Sequence, residues 1–452
     1  MSSPSQSSSA GADDDREVPS LEATEDAVLG GDTPYTPGSA RAALAQRPFR
    51  VVWIGSLASN IGTWMQNVAL GAFAFKLTGS SGFVALLGFA QLGPLLALSI
   101  VGGLLADTVD RRLLLAACQA EQMVVSFLLA VLVRQDDPSK MALFLAVLAL
   151  GVGNALNAPT LSAVLPQLVG KRDLAGAVSL QSVQLNLSRV VGPAIAGLIL
   201  PFVGTSGVFA INGVSYVFAI GSLFMVAIPR PYPSFGEQGF RKLIGGFVVA
   251  RRDRLVRRCL LAIAAISFFC LPFIGLLPVL AGDNLDLDVD GAGYGALFAC
   301  FGAGAALGAV AVGTVLVRRS KPAVVRGGLA LFGVVLGIFA VLRDPRPAYL
   351  VVFLVGLFYF GTVTSLSTVL QEHLEESVRG RVMALWIMGF GGTVPLGLLV
   401  GGFVADRASV TAVVLVGAAS AAFLALVVDV RPAAGEGPAT AADSSPPDAD
   451  TD

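Results

Sequence analysis

Charge is what this sequence has least of. Asp, Glu, Lys and Arg make up 13% of its 452 residues, while 55% are hydrophobic and the mean hydropathy is +0.76. Soluble domains carry about 25% charged residues, so a soluble globule is excluded. The net charge of −1 leaves no global field for nucleic acid. Histidine occurs once, and one imidazole cannot build a zinc site. His373, beside Glu372, Glu375 and Glu376, is expected to be solvated or salt-bridged. The four cysteines, Cys118, Cys259, Cys270 and Cys300, stand in apolar stretches without Cys-x-x-Cys spacing, so they read as packing residues. No phosphate-binding loop occurs: Gly170-Lys171-Arg172 lacks both the leading glycine and the hydroxyl. Neither ATP, another cofactor, a metal nor enzymatic chemistry is expected. The first forty residues lack the basic start and apolar middle of a signal peptide.

Long apolar runs are abundant. Twelve segments, from Phe49–Leu77 to Val410–Val428, are long enough to cross a bilayer at about 1.5 Å per residue. The 52 glycines suit helices that pack closely in lipid. The fold expected is an all-α polytopic membrane protein of twelve transmembrane helices in two six-helix bundles. Its parts are a disordered N-terminal tail at 1–47, a first bundle at 48–229, a central loop at 230–254, a second bundle at 255–430 and a disordered tail at 431–452. With both termini in the cytoplasm, 23 of the 30 lysines and arginines fall inside and only six outside, with Arg189 left over. An offset of about 206 relates the starts of the two bundles, which suggests parallel repeats with a substrate site between them.

The turn between the second and third segments reads Gly103-Leu104-Leu105-Ala106-Asp107-Thr108-Val109-Asp110-Arg111-Arg112. It resembles the signature between helices 2 and 3 of the major facilitator superfamily, and the resemblance implies a gating role for Gly103, Asp107, Asp110, Arg111 and Arg112. The second copy, at Gly313–Lys321, has lost the aspartate. Further on, Gly192-Pro193 and Gly197 resemble the helix-5 motif of exporters that exchange substrate for protons. Leu165–Leu174 and Val378–Met383 resemble the branch that holds the enterobactin exporter and the transmembrane secretion effectors. The resemblance spans Phe49 to Asp429 and implies an efflux antiporter in a bacterial plasma membrane.

Two ionisable residues lie well inside spans. Glu121 sits ~12 Å and Arg189 ~21 Å from the arginine-rich side. Each needs a partner or a watery cavity, so they form either a fixed pair or a proton-coupling element. Ser179, Ser182, Asn186, Arg189 and Pro193 step by three and four along one helix face. Ser56, Asn60, Thr63 and Asn67 form a second stripe, and Asn154 and Asn157 a third. These stripes line an aqueous cavity or bond helices to one another. Trp64, Tyr359 and Trp386 are candidates to stack on substrate, with packing as the alternative. Asp286-Leu287-Asp288-Val289-Asp290-Gly291 imitates a calcium loop, but Leu297 stands where its closing glutamate belongs, so Asp290 is expected to cap the next helix. Gly304…Gly308 and Gly397…Gly401 are packing motifs.

The function expected is secondary active, proton-coupled efflux of a small amphipathic molecule such as a siderophore, antibiotic or drug-like metabolite. Its partners are that substrate, protons and the lipid bilayer, and the protein is expected to be a monomer. Uptake, or a non-transporting receptor or assembly protein on the same fold, are the alternatives.

Overall fold

The long helices start where the sequence supplies a cap. Ser80, Asp110, Ser139, Asp253, Asp344 and Ser409 each accept a hydrogen bond from a backbone N–H in the first turn of the helix that follows. In the computed structural model of the chain the described residues are 35–228 and 239–431, and no strand occurs among them. The side chains of 99–100, 103–104, 106–107, 239–244 and 376–377 are outside that description. The expectations for Gly103, for the Asp107 side chain, and for the tails at 1–34 and 432–452 therefore lie outside the described residues.

Nine helices among the described residues are long and apolar enough to cross a membrane. The difference from the expected twelve has two sources. Arg47–Thr78 is a helix of 32 residues but falls short of that apolar standard. Lys140–Phe224 is one run of 85 residues, and a straight rod of that length would be roughly 130 Å long. It is not straight. Gly170 and Gly204 adopt left-handed φ values of 73° and 65°, which glycine alone reaches without strain. The chain folds back at both: Leu165, Leu180 and Leu223 share one core cluster, and Leu143, Leu200 and Phe209 another.

The segment expected as a disordered tail and the one expected as a central loop each contain a helix. Ala40–Ala45 precedes the first long helix, and Asp173 holds its approach by accepting from Gly38 N–H at 3.0 Å and Gln46 Nε2 at 3.4 Å. Gly239–Arg252 fills most of the expected central loop and packs on Glu376–Ile387, where Gly246 meets the Arg381 carbonyl.

Helices of the first half (to residue 228) and the second (from 239) meet along two seams. In one, Gly82, Ala85, Gly88 and Leu96 of Ser81–Thr108 face Asp406, Gly402, Leu398 and Gly392. In the other, Gly197 and Arg189 of Lys140–Phe224 face Gly295 and Gly302 of Ala292–Gly313. Both packing motifs act as expected within the second half: Gly304 and Gly308 let Ala292–Gly313 approach the Phe353 and Leu357 carbonyls, and Gly397 meets that of Phe268.

Three π-helical turns, Ile266–Cys270, Leu280–Asn284 and Met388–Gly392, interrupt helices of the second half. Pro272 follows the first of them, and proline cannot donate to the ladder behind it. Cys118, Cys259 and Cys270 are buried thiols and Cys300 is half-buried.

Candidate functional site

The expected Glu121–Arg189 ion pair is not formed. Distance along the axes already put the two residues about 9 Å apart in depth, and azimuth separates them further. Glu121 projects from Arg111–Leu132 against Gly153, where any Cβ would overlap its carboxyl group. Both carboxyl oxygens are buried, and neither has a hydrogen-bond partner. Arg189 instead lies at the seam between the halves. Its guanidinium stands 5.4 Å from the ring centre of Trp64 in the first half and 4.6 Å from that of Phe360 in the second. Its hydrogen bond is to Asn186 Oδ1, at 3.3 Å.

The helix-5 motif explains how Arg189 reaches that seam. Gly192 has no side chain where it meets the Ile61 carbonyl and Trp64, so this helix lies close against Arg47–Thr78. One turn on, the Pro193 carbonyl and Gly197 face Gly295 across the seam. The motif wedges one helix between its own half and the other.

The polar stripes divide between contacts that join helices and positions that stay accessible. Asn67 Oδ1 accepts from Gln91 Nε2 at 2.6 Å, and Asn157 Oδ1 accepts from Gln119 Nε2 at 3.2 Å. Thr63 and the Tyr216 hydroxyl bond to each other at 3.0 Å. These three join helices. Asn154 and Ser182 are exposed, and Asn60 and Asn186 are half-buried. Tyr359 is buried at 1% exposure with its hydroxyl unpartnered, and its ring packs on Phe360 and Phe332. Trp386 belongs to the apolar core.

A buried network was not foreseen. Asn212 Nδ2 donates to Gln66 Oε1 at 2.8 Å and to Ser126 Oγ at 3.4 Å, while Asn212 Oδ1 accepts from Ser215 Oγ at 3.1 Å. Tyr216, one residue further, donates to Gln122 Oε1 at 3.1 Å. The network joins three helices, and Gln122 directly follows Glu121. No periodic signal marks it, because each helix contributes one or two polar residues whose partners are far away in sequence.

At the signature turn, Asp110 caps Arg111–Leu132 by accepting from Arg112 N–H and Leu113 N–H. Arg111 donates to the Ala163 carbonyl at 3.2 Å, and Arg112 to that of Val226 at 2.6 Å. Both arginines thus satisfy carbonyls near the ends of neighbouring helix segments in their own half. At the opposite end of the bundle, polar contacts cross between halves. Lys76 pairs with Asp290, and Asp406 accepts from Ser80 Oγ at 2.8 Å and from Gly82 N–H at 3.0 Å. Asp290 does not cap the helix after it, as expected from sequence; Gly291 occupies the N-cap position, and Asp290 is drawn to the lysine. His373 is buried rather than solvated and meets Asp253 Oδ2 at 2.7 Å.

Comparison with known proteins agrees with this architecture. A family profile described as transmembrane secretion effector matches residues 38–449. The chain is 25% identical over 368 residues to a staphyloferrin A transporter of Staphylococcus aureus, covering 76% of this chain and 86% of that one. It is 26% identical over 346 residues to an enterobactin exporter of Shigella boydii, covering 75% and 80%. A crystal structure of a mutant nucleoside transporter NupG superposes with a TM-score of 0.71 at 14% identity, covering 84% of this chain and 99% of that one. A bacterial homologue of the iron transporter ferroportin, in an inward-facing state, gives 0.67 at 17% identity, covering 84% and 97%. These two structures bear on the fold alone.

Proposed function

Because this chain belongs to the transmembrane secretion effector family of the major facilitator superfamily, we propose that it exports a small amphipathic molecule by alternating access, driven by inward protons. The family consists of multi-pass membrane transporters, not enzymes. The reading takes the helical segments as twelve crossings with the arginine-rich end in the cytoplasm.

Glu121 is the observation that carries proton coupling. Its carboxyl group lies within a membrane span, with both oxygens buried and unpartnered. Uncompensated charge is costly in such a place, and a neutral carboxylic acid suits it. A change in helix packing that opens Glu121 to water or brings a cation to it would favour proton release. Alternating access supplies such a change. The latches Lys76–Asp290 and Ser80–Asp406 join the halves at the end opposite the arginines, which fits a state open towards the cytoplasm. Asp107 and Arg111 would then hold the other end in the alternate state. Export rather than uptake rests on the likeness of Gly192-Pro193 and Gly197 to the exporter motif.

Efflux assays in inside-out vesicles, with and without an imposed pH difference, test the reading. The wild type should accumulate substrate only with the pH difference, and Glu121→Gln should lose this pumping while still exchanging substrate across the membrane. If Glu121→Gln pumps normally against a substrate gradient, Glu121 is not the coupling group.

A further inference from the structure

Arg189 carries a permanent charge within a membrane span, yet forms no ion pair among the described residues. A cation within a span normally faces a carboxylate or water. Here it meets an amide oxygen and two ring faces. The carboxylate that shares its half of the molecule, Glu121, is turned towards Gly153 instead. A guanidinium has five N–H donors in a flat fork, and the Asn186 contact uses one. In the second half, Tyr359 packs its ring on Phe360 at 5.1 Å, and its hydroxyl is buried and unpartnered. Unused guanidinium donors therefore lie between Trp64 of one half and Phe360 of the other.

We infer that Arg189, held between Trp64 of one half and Phe360 of the other, is the recognition site for a planar oxyanion on an amphipathic substrate. This rests on the transporter reading above and narrows its substrate to organic anions. A carboxylate or a similar flat oxyanion matches the guanidinium fork in a bidentate way. The rings accommodate the apolar body of the same molecule. Ring faces attract a cation more weakly than an oxyanion does, so a bound anion draws Arg189 from the Phe360 face. Binding is thereby linked to a contact between the halves. An amphipathic cation gains nothing at this position and is repelled.

The test is equilibrium binding to the purified full-length protein, with a matched naphthalene series as probes: 1-naphthoate, 1-naphthamide and 1-naphthylmethylammonium. The wild type should bind naphthoate at least about tenfold more tightly than the amide, the range for a hydrogen bond to a charged group, and should bind the ammonium least. Arg189→Gln should erase the preference for the carboxylate while leaving amide affinity within about twofold. Equal binding of carboxylate and amide by the wild type, no binding of either, or a preference that survives Arg189→Gln overturns the proposal. Should Arg189→Gln fail to fold, phenylglyoxal modification of wild-type arginines decides the matter. Naphthoate should protect Arg189 and the amide should not, and equal labelling overturns the proposal. Binding needs no gradient, so pumping that fails while carboxylate preference persists counts against the transport reading alone.

Discussion

The two halves of the molecule share a plan but are held together by different chemistry. Within its apolar core the first half has a buried polar network: Gln66, Ser126 and Asn212 bond to one another, as do Gln122 and Tyr216. The second half has buried polar contacts such as Asp253–His373 but adds a run of aromatic ones, with Phe273, Phe301, Phe360, Tyr359 and Phe332 in successive edge or tilted contact. Lipid offers no hydrophobic drive between helices, so either hydrogen bonds or close packing must hold them. Hydrogen bonds are directional and fix one arrangement. Ring edges tolerate sliding, and the second half also has the three π-helical turns, which often mark functional sites in helices. Arg189 reaches from the polar half into the aromatic one. The division suits a transporter in which one half holds the titratable group and the other adapts around the substrate.

Removing a hub from each half is the strongest test of this contrast. Asn212→Leu deletes two side-chain bonds between helices, each worth about 0.6 kcal/mol in membrane proteins, and one within its own helix, and leaves Gln66 and Ser126 without that partner. A loss of roughly 2 kcal/mol is expected. Phe301→Leu keeps apolar volume in the aromatic half and should cost about 1 kcal/mol. Thermal melting in detergent compares the two. Equal losses would mean that the halves do not differ in what holds them.

The latch between halves should respond next most strongly, in conformation rather than stability. Asp406→Ala removes an acceptor bonded to both Ser80 and Gly82. Charge-assisted bonds contribute about 1.5 kcal/mol, so opening at that end should become roughly tenfold easier. Ala85, buried against Gly402, is the place to look. In the Ala85→Cys protein, maleimide labelling should quicken by that factor when Asp406 is also replaced. An unchanged rate would show that the helix seam alone keeps this end shut.

Much of the fold was legible because hydropathy acts locally. Apolar run length marked the spans, whereas the cap expected at Asp290 was not formed. The Lys140–Phe224 reversals also had a local cause, in glycines at positions 170 and 204, but nothing in the sequence says whether helix continues through them. The site was less legible. Spacing by three and four placed Arg189 on the same stripe as Asn186, and the two do bond. The same spacing could not say which neighbour the stripe faces, so Glu121 and Arg189 were matched as the two ionisable residues well inside spans, although their helices turn them apart. Gln66, Gln122, Asn212 and Tyr216 were missed because a hydrogen bond over 94 or 146 residues leaves no local pattern.

A third comparison lies at the entrance to each half. Gln46 and Asp253 are N-cap residues of the opening helices, and both bind an acidic or basic partner further along: Asp173 in the first half, His373 in the second. The second tether is the tighter. Asp253 meets His373 at 2.7 Å, with both side chains 7% exposed, and accepts from Val256 N–H at 2.8 Å. Asp253→Ala removes a helix cap and a buried partner together, at about 2 kcal/mol. Asp173→Ala removes one good bond and one long one, at about 1 kcal/mol. Thermal melting of the two variants ranks the tethers, and a reversed order would remove this asymmetry.

The smallest effect is expected where the second half has lost the signature aspartate. In the first half, Asp110 caps a helix and Arg111 and Arg112 satisfy backbone carbonyls of neighbouring segments. In the second half, Ser320 occupies the cap position without a side-chain cap bond. Lys321 is paired with Glu372, whose side chain is 58% exposed. Arg326 takes over the bond to a neighbouring helix, from its Nε to the Ala425 carbonyl at 3.1 Å. Arg112 and Arg326 are thus counterparts in what they bond, whereas Lys321 adds a solvent-screened pair. Exposed pairs contribute about 0–1 kcal/mol, and less as salt rises. Lys321→Ala should shift the melting temperature little, and the shift should vanish in high salt. Arg326→Gln should cost about 1 kcal/mol at any salt, because its partner is a carbonyl in a partly buried contact. A salt-independent loss for Lys321→Ala would show that the diverged turn still supports its half as the intact one does.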